Sequence, residues 1–208
     1  HHTLLSNRQQ RDPLVLFLLP FWMLFQAVLA IGGFLQDTSY FPPRMVLFGP
    51  LPAAVFIFGL LIFARKHFIG NFPLKALTIL HVIRIPIEIV LYELFIAGSI
   101  PEVMTFSGAN FDMLSGVTAP MIYWFGFRNG EINRPVLIAW NLAALVLLVV
   151  IVTLAFLSFP LPMQQIAHDQ PNRAVMYFPY VWLPTVVVPI VLFAHVASLY
   201  KLMTNRLA

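Results

Sequence analysis

The sequence has no cysteine and few charged residues. Its 208 residues include 12 Lys and Arg and 8 Asp and Glu, and charged residues make up only 10% of the chain. An ordinary soluble domain has about 25%. Without cysteine the chain forms no disulfide, no thiolate metal site and no catalytic thiol. With so few charges, no polar region is long enough to fold as a separate soluble domain.

Recognisable catalytic and nucleotide-binding motifs are absent as well. The sequence contains no GxxxxGK[ST] phosphate loop, no GxGxxG fingerprint and no HExxH zinc motif. It also lacks the GxSxG elbow of hydrolases. These absences favour a protein without catalytic activity, although they do not exclude an enzyme. The net charge of +4 arises mainly from basic residues in short loops, where membrane topology explains them, so we expect no nucleic-acid partner.

Hydrophobic residues make up 60% of the chain, and several apolar stretches reach the roughly 20 residues that cross a bilayer. We predict an all-α integral membrane protein in which residues 1–208 form a single six-helix transmembrane domain. The first apolar run is long for a signal-peptide core and lacks a clear cleavage site, so we expect a retained span. The fourth span begins with the polar stretch TFSGANFD and is a re-entrant segment in the alternative interpretation. The predicted spans cover residues 14–34, 45–64, 75–97, 106–127, 136–159 and 175–200.

The basic residues predict an orientation. Nine of the twelve Lys and Arg residues would lie on one side of the membrane, whereas Arg44 and Arg173 would lie on the other and Arg84 within span three. Because cytoplasmic loops carry an excess of Lys and Arg, we expect both termini in the cytoplasm and the protein in the cell (plasma or inner) membrane. The nine residues are Arg8, Arg11, Arg65, Lys66, Lys75, Arg128, Arg134, Lys201 and Arg206.

Span three contains an unusual group of ionisable residues in the segment HVIRIPIEIVLYE. On a helix, His81, Arg84, Glu88 and Tyr92 fall on one face, whereas Glu93 falls on another. A charge at the bilayer centre costs roughly 2.5–3.5 kcal/mol on insertion scales, so this face should point towards protein or water. Arg84 and Glu88 are four residues apart and can pair within the helix. The stripe is therefore either a self-neutralising packing pair or a site for a proton, ion or ligand.

Other polar residues are predicted at matching depths. His81, Asn141 and His195 each lie six or seven residues from a basic residue at the cytoplasmic end of a span, which corresponds to about 9–10.5 Å. We therefore expect them in one layer, and we hypothesise that His81, Glu88 and His195 line a common cavity. Asp112 lies on a small-residue face of span four and needs a partner. It would be repelled by Glu93 unless one of them is protonated or a cation lies between them.

These patterns predict a small membrane protein with a buried polar site, and we expect a transporter or channel for protons, ions or a small polar solute. His81 and Glu88 would carry protons, because His titrates near neutrality. The expected partner is the lipid bilayer, with a homo-oligomer or a larger membrane complex left open. The candidate pathway residues are His81, Arg84, Glu88, Tyr92, Glu93, Asp112, Asn141 and His195.

Two alternatives come from different functional classes. A membrane-embedded haem or metal site, in an oxidoreductase for example, would use His81 and His195 as ligands, since both are predicted at the same depth. A non-catalytic assembly subunit or receptor would use the same polar residues only to specify helix packing.

Overall fold

The prediction of an all-α fold is confirmed by a computed structural model that describes residues 13–63, 69, 72–128, 131–162 and 164–204. These residues form helices, turns and loops, and no strand occurs among them. The helices of these ranges are α1 (Pro13–Ile31), α2 (Arg44–Phe48), α3 (Pro50–Phe63), α4 (Leu74–Leu80), α5 (Arg84–Ile96), α6 (Met113–Gly126), α7 (Arg134–Leu157) and α8 (Val188–Met203).

Three helical segments in the described ranges are long and apolar enough to cross a membrane. They are Arg44–Ile62, Arg134–Leu157 and Leu183–Met203, and a shorter apolar helix covers Phe17–Ile31. Large apolar side chains cover much of the outer surface, as expected for helices that face lipid. Five of the basic residues used to predict the orientation lie outside the described residues: Arg8, Arg11, Arg65, Lys66 and Arg206.

The third predicted span is helical from residue 74 to residue 96, with a change of winding in the middle. A turn of 3₁₀ helix at His81–Ile83 joins α4 to α5 and ends three residues before Pro86. Proline lacks an amide hydrogen and disturbs the preceding turn of a helix. The 3₁₀ turn therefore lies where the polar face of this span begins, at His81.

The fourth predicted span is helical only in its second half. The polar stretch before it contains a 3₁₀ turn at Glu102–Met104 and irregular backbone up to Asp112, and α6 begins at Met113. Gly108 lies against this turn, where an added Cβ would be 2.3 Å from the carbonyl oxygen of Glu102. The irregular backbone is folded back on itself and places Asn110 and Asp112 inside the protein, where both are buried.

The sixth predicted span also changes its winding. Leu183–Val187 forms a π-helical turn, which continues as α8 from Val188. Pro184 lies inside this turn and Pro189 is the second residue of α8, and each proline removes one backbone hydrogen-bond donor. π-helical turns inside longer helices often occur at functional sites, and this one lies beside the cavity described below.

The hydrophobic core lies between α5, α7 and α8. Leu91, Leu94, Leu148, Ile151 and Val191 are its buried centre. Helix α6 packs closely on the 3₁₀ turn and the start of α5, because Gly116 has no side chain there. A Cβ on Gly116 would lie 2.9 Å from Cγ1 of Ile85 and 3.2 Å from Cβ of Arg84. This close approach brings the start of α6 beside Arg84.

Candidate functional site

Arg84 lies at the centre of a buried polar network that joins four parts of the chain. Only 2% of its surface is exposed. Its Nη1 donates to Asp112 Oδ1 at 2.6 Å and lies 3.3 Å from the carbonyl oxygen of Ala144 in α7. Its Nη2 lies 2.8 Å from Nε2 of His195 in α8. The guanidinium therefore connects α5, the segment before α6, α7 and α8.

The network fixes the tautomer of His195. A guanidinium group only donates hydrogen bonds, so Nε2 of His195 must be the acceptor from Arg84. The proton of a neutral ring is then on Nδ1, which lies 2.9 Å from Oδ1 of Asn141. The amide of Asn141 is oriented by its own donation from Nδ2 to the carbonyl oxygen of Leu137 at 2.8 Å. His195 is thus a neutral ring with both nitrogens engaged.

The two buried histidines are in direct contact. The rings of His81 and His195 stack with their centroids 4.0 Å apart and their planes 21° apart. Trp140 meets the ring of His81 edge to face at 5.3 Å and is held by its donation to Thr118. The sequence predicted His81, Asn141 and His195 in one layer. The structure places these three side chains together.

The stacking of the two rings argues against the alternative in which His81 and His195 ligate the same haem iron or metal ion. Imidazole lone pairs lie in the plane of the ring, so two nearly parallel rings do not direct a nitrogen of each towards one metal ion. Nε2 of His195 also accepts from Arg84, and ligation through this atom would require Arg84 to move away. Among the described residues, no three His, Asp or Glu side chains form a group that could hold a metal ion.

Glu88 is hydrogen-bonded to Asn110, whereas its spacing in the sequence favoured a pair with Arg84. We expected that it could pair with Arg84 one turn earlier, but the salt bridge of Arg84 is formed with Asp112. Glu88 is 1% exposed, and its Oε1 accepts from Nδ2 of Asn110 at 2.5 Å. Its second oxygen, Oε2, has no hydrogen-bond partner among the described residues. A buried carboxyl group therefore has one oxygen available for a further partner.

Asn110 connects the two buried carboxyl groups. Its Nδ2 donates to Glu88 and also to the carbonyl oxygen of Met104, while its Oδ1 accepts from the backbone nitrogen of Asp112 at 3.0 Å. The irregular backbone before α6 thus positions both an acidic side chain and the amide that contacts the other one. This explains why the polar stretch interrupts the helix.

A cavity of about 190 Å³ lies next to the charged cluster. Its polar lining consists of Arg84, Glu88, Asp112 and Asn172, and its other lining side chains are apolar. Asn172 comes from the loop between α7 and α8 and is 1% exposed, with its Oδ1 unpartnered among the described residues. Neither His81 nor His195 lines this cavity, so the expected common cavity contains Glu88 without the histidines.

The remaining predicted site residues lie away from the cluster. Tyr92 is half-buried and stacks on Phe106 with the ring centroids 4.9 Å apart. Glu93 is exposed on another face of α5, so the expected repulsion between Glu93 and Asp112 is not needed to explain the site. Sequence reasoning did not identify Asn172 as a site residue, and its position in a polar loop gave no signal beyond its amide side chain.

Residues 42–203 match the family described as Domain of unknown function (DUF8737). The matched range covers most of the chain and includes every candidate site residue. No curated protein and no solved structure matches the chain. The geometry of the site is therefore the basis for the functional argument.

The pairing of Arg84 with Asp112 predicts a non-additive effect on stability. Arg84→Leu and Asp112→Leu should each lower the stability by about 3–5 kcal/mol, because each strands one buried charge, and the double variant should lose less than the sum. Thermal or denaturant unfolding of the purified protein would measure this. Arg44→Leu and Asp37→Asn, which disrupt a partly exposed pair at 3.0 Å, are the controls and should change stability little. Additive losses at Arg84 and Asp112 would contradict the coupled pair.

Proposed function

This chain belongs to the family described as Domain of unknown function (DUF8737), and we propose that it is a proton-translocating protein of the cell membrane. It crosses the membrane six times, with both termini in the cytoplasm. Glu88 takes up and releases the proton, and the Arg84–Asp112 pair responds to its charge. The observation that carries the proposal is a carboxyl group that is 1% exposed, lines a cavity and has one oxygen without a partner in the part of the chain that the structure describes.

The contacts between loops support the six-span topology. Predicted cytoplasmic positions are near one another: Lys201 donates to the carbonyl oxygen of Phe72 at 2.7 Å, and Lys75 lies over the ring of Phe127 at 5.7 Å. Predicted outer positions also meet, since Arg173 donates through its backbone nitrogen to the carbonyl oxygen of Ser99 at 3.0 Å. These contacts join residues that the proposed topology puts on the same side of the membrane, which supports the topology inferred from the basic residues.

The charges of the cluster give Glu88 two stable states. Arg84 contributes +1 and Asp112 contributes −1, so their pair is neutral. An ionised Glu88 adds −1 to a region lined by apolar side chains, and a buried unpaired charge is costly. Glu88 is therefore stable when protonated, or when a cation occupies the cavity beside it. Exchange between these two states is the step by which the site accepts and releases a proton.

Asp112 is positioned to receive the effect of this exchange. It lines the same cavity as Glu88, and Asn110 contacts both. A proton transferred to Asp112 would neutralise it and weaken its salt bridge to Arg84, which does not give up its own proton. The buried charge of Arg84 is then stabilised mainly by its contacts with Ala144 and His195. Protonation is thereby coupled to the contacts among α5, α7 and α8.

Proton flux into liposomes tests the function. Purified protein in potassium-loaded vesicles, given an inside-negative potential by valinomycin, should acidify the lumen faster than empty vesicles. Glu88→Gln should reduce this flux to the empty-vesicle level, because a neutral amide cannot carry the proton. Glu131→Gln, which changes an exposed carboxyl in the loop before α7, should leave the flux unchanged.

Two outcomes would contradict proton translocation. One is a wild-type flux equal to that of empty vesicles. The other is a Glu88→Gln variant that folds normally and conducts like the wild type. In either case the cluster would serve helix packing, as in an assembly subunit.

The topology is tested by single-cysteine labelling, since the chain has no cysteine of its own. Ser39 and Thr204 are both exposed and lie on opposite sides of the membrane in the proposed topology. Ser39→Cys in intact cells should react with a membrane-impermeant maleimide, whereas Thr204→Cys should react only after permeabilisation. Labelling of Thr204→Cys in intact cells would overturn the proposed orientation.

A further inference from the structure

We propose that the cavity beside Glu88 binds a small amphipathic organic cation, namely an ammonium group on a compact apolar body. The inference rests on the proposed exchange at Glu88, because the cation would occupy the site when Glu88 has released its proton. It adds a class of ligand that proton translocation alone does not require.

The lining favours a mostly apolar molecule that arrives from the bilayer. Apart from four polar residues, the cavity is lined by apolar side chains of the bundle. Two of these, Val152 and Phe156 in α7, are 42% and 53% exposed. The wall of the cavity therefore reaches the apolar outer surface of the bundle. A molecule dissolved in the bilayer reaches the cavity through this side without crossing an aqueous channel.

The polar atoms favour a head group that donates hydrogen bonds. Glu88 Oε2 and Asn172 Oδ1 are acceptors on side chains that are each 1% exposed, and neither has a partner among the described residues. Both residues line the cavity. Buried acceptors without donors are costly, and an ammonium group supplies up to three N–H donors. Two unpartnered acceptors on residues that line one cavity thus favour such a head group.

The charge distinguishes a cation from a neutral donor. With Glu88 ionised, Arg84, Asp112 and Glu88 carry a net charge of −1, and a monovalent cation makes the cluster neutral. The charged groups lining the cavity are these three side chains, and His195 behind Arg84 is neutral by its hydrogen bonds. The net charge beside the cavity therefore favours a cation over a neutral donor of the same size.

The volume of the cavity limits the size of the apolar part of the ligand. An apolar cavity of about 150 Å³ in another protein binds benzene, and the cavity here measures about 190 Å³. It therefore accommodates a six-membered ring with one short substituent. Benzylamine has this size and is a suitable probe. Benzyl alcohol and benzoate have the same ring but are neutral and anionic, respectively.

Calorimetric titration of the purified full-length protein in detergent tests the site, with protein-free micelles subtracted. Benzylammonium should bind at least tenfold more tightly than benzyl alcohol, and benzoate should not bind. Glu88→Gln should weaken benzylammonium binding at least tenfold, while Glu131→Gln should not change it. Val152→Trp, at the exposed wall of the cavity, should block binding without removing a polar group. Unfolding midpoints equal to that of the wild type show that each variant is folded.

The outcomes separate this inference from the proposed function. Glu88-dependent proton flux without benzylammonium binding would overturn the ligand and leave proton translocation standing. Binding that depends on Glu88 and Val152, in a protein that conducts no protons, would support the cation site and overturn translocation. Equal affinity for benzylammonium and benzyl alcohol would also overturn the inference, because the charge would then play no part.

Discussion

The structure depends on stabilising the buried charge of Arg84 inside an apolar bundle. A buried charge that loses its partner costs several kcal/mol, so the surrounding segments must provide partners on several sides. Asp112, Ala144 and His195 do this from three different parts of the chain. Asn141 then completes the hydrogen bonding of His195. The positions of α6, α7 and α8 relative to α5 follow from these contacts together with the apolar core.

Several local departures from regular helix serve this arrangement. The backbone before α6 is irregular, and this allows Asp112 to enter the bundle with Asn110 beside it. Gly116 lets α6 approach the backbone at Ile85 and the stem of Arg84. Glu88 lines the adjacent cavity and keeps one oxygen without a partner among the described residues. Fold and proposed function therefore share one charged cluster, in which Arg84 and Asp112 balance each other and Glu88 supplies the variable charge.

Part of this could be predicted from the sequence. Helical periodicity placed His81, Arg84 and Glu88 on one face, and all three are buried. Residue counts from the basic ends placed His81, Asn141 and His195 at one depth, where they meet. The helical all-α class followed from the apolar runs. Such predictions succeed because they depend on local geometry that repeats along each helix.

The partners across the bundle could not be predicted in the same way. The spacing of Arg84 and Glu88 favoured a pair within one helix. However, the helix α6 begins only at Met113, so Asp112 lies in the irregular segment before it and forms the salt bridge with Arg84. The cavity and the role of Asn172 depend on how a loop returns between α7 and α8, which no periodic pattern encodes. Tyr92 and Glu93 showed that sharing or adjoining a polar stripe does not place a residue in the cluster.

The most direct test of the central claim is the tautomer of His195. Nitrogen NMR of protein with ¹⁵N-labelled histidine, assigned by comparison with a His195→Gln variant, reports which ring nitrogen carries the proton. Because Arg84 donates to Nε2, His195 should be neutral and protonated on Nδ1, and Arg84→Leu should change its signal. A ring protonated on Nε2, or on both nitrogens, would contradict the claim that Arg84 organises the site.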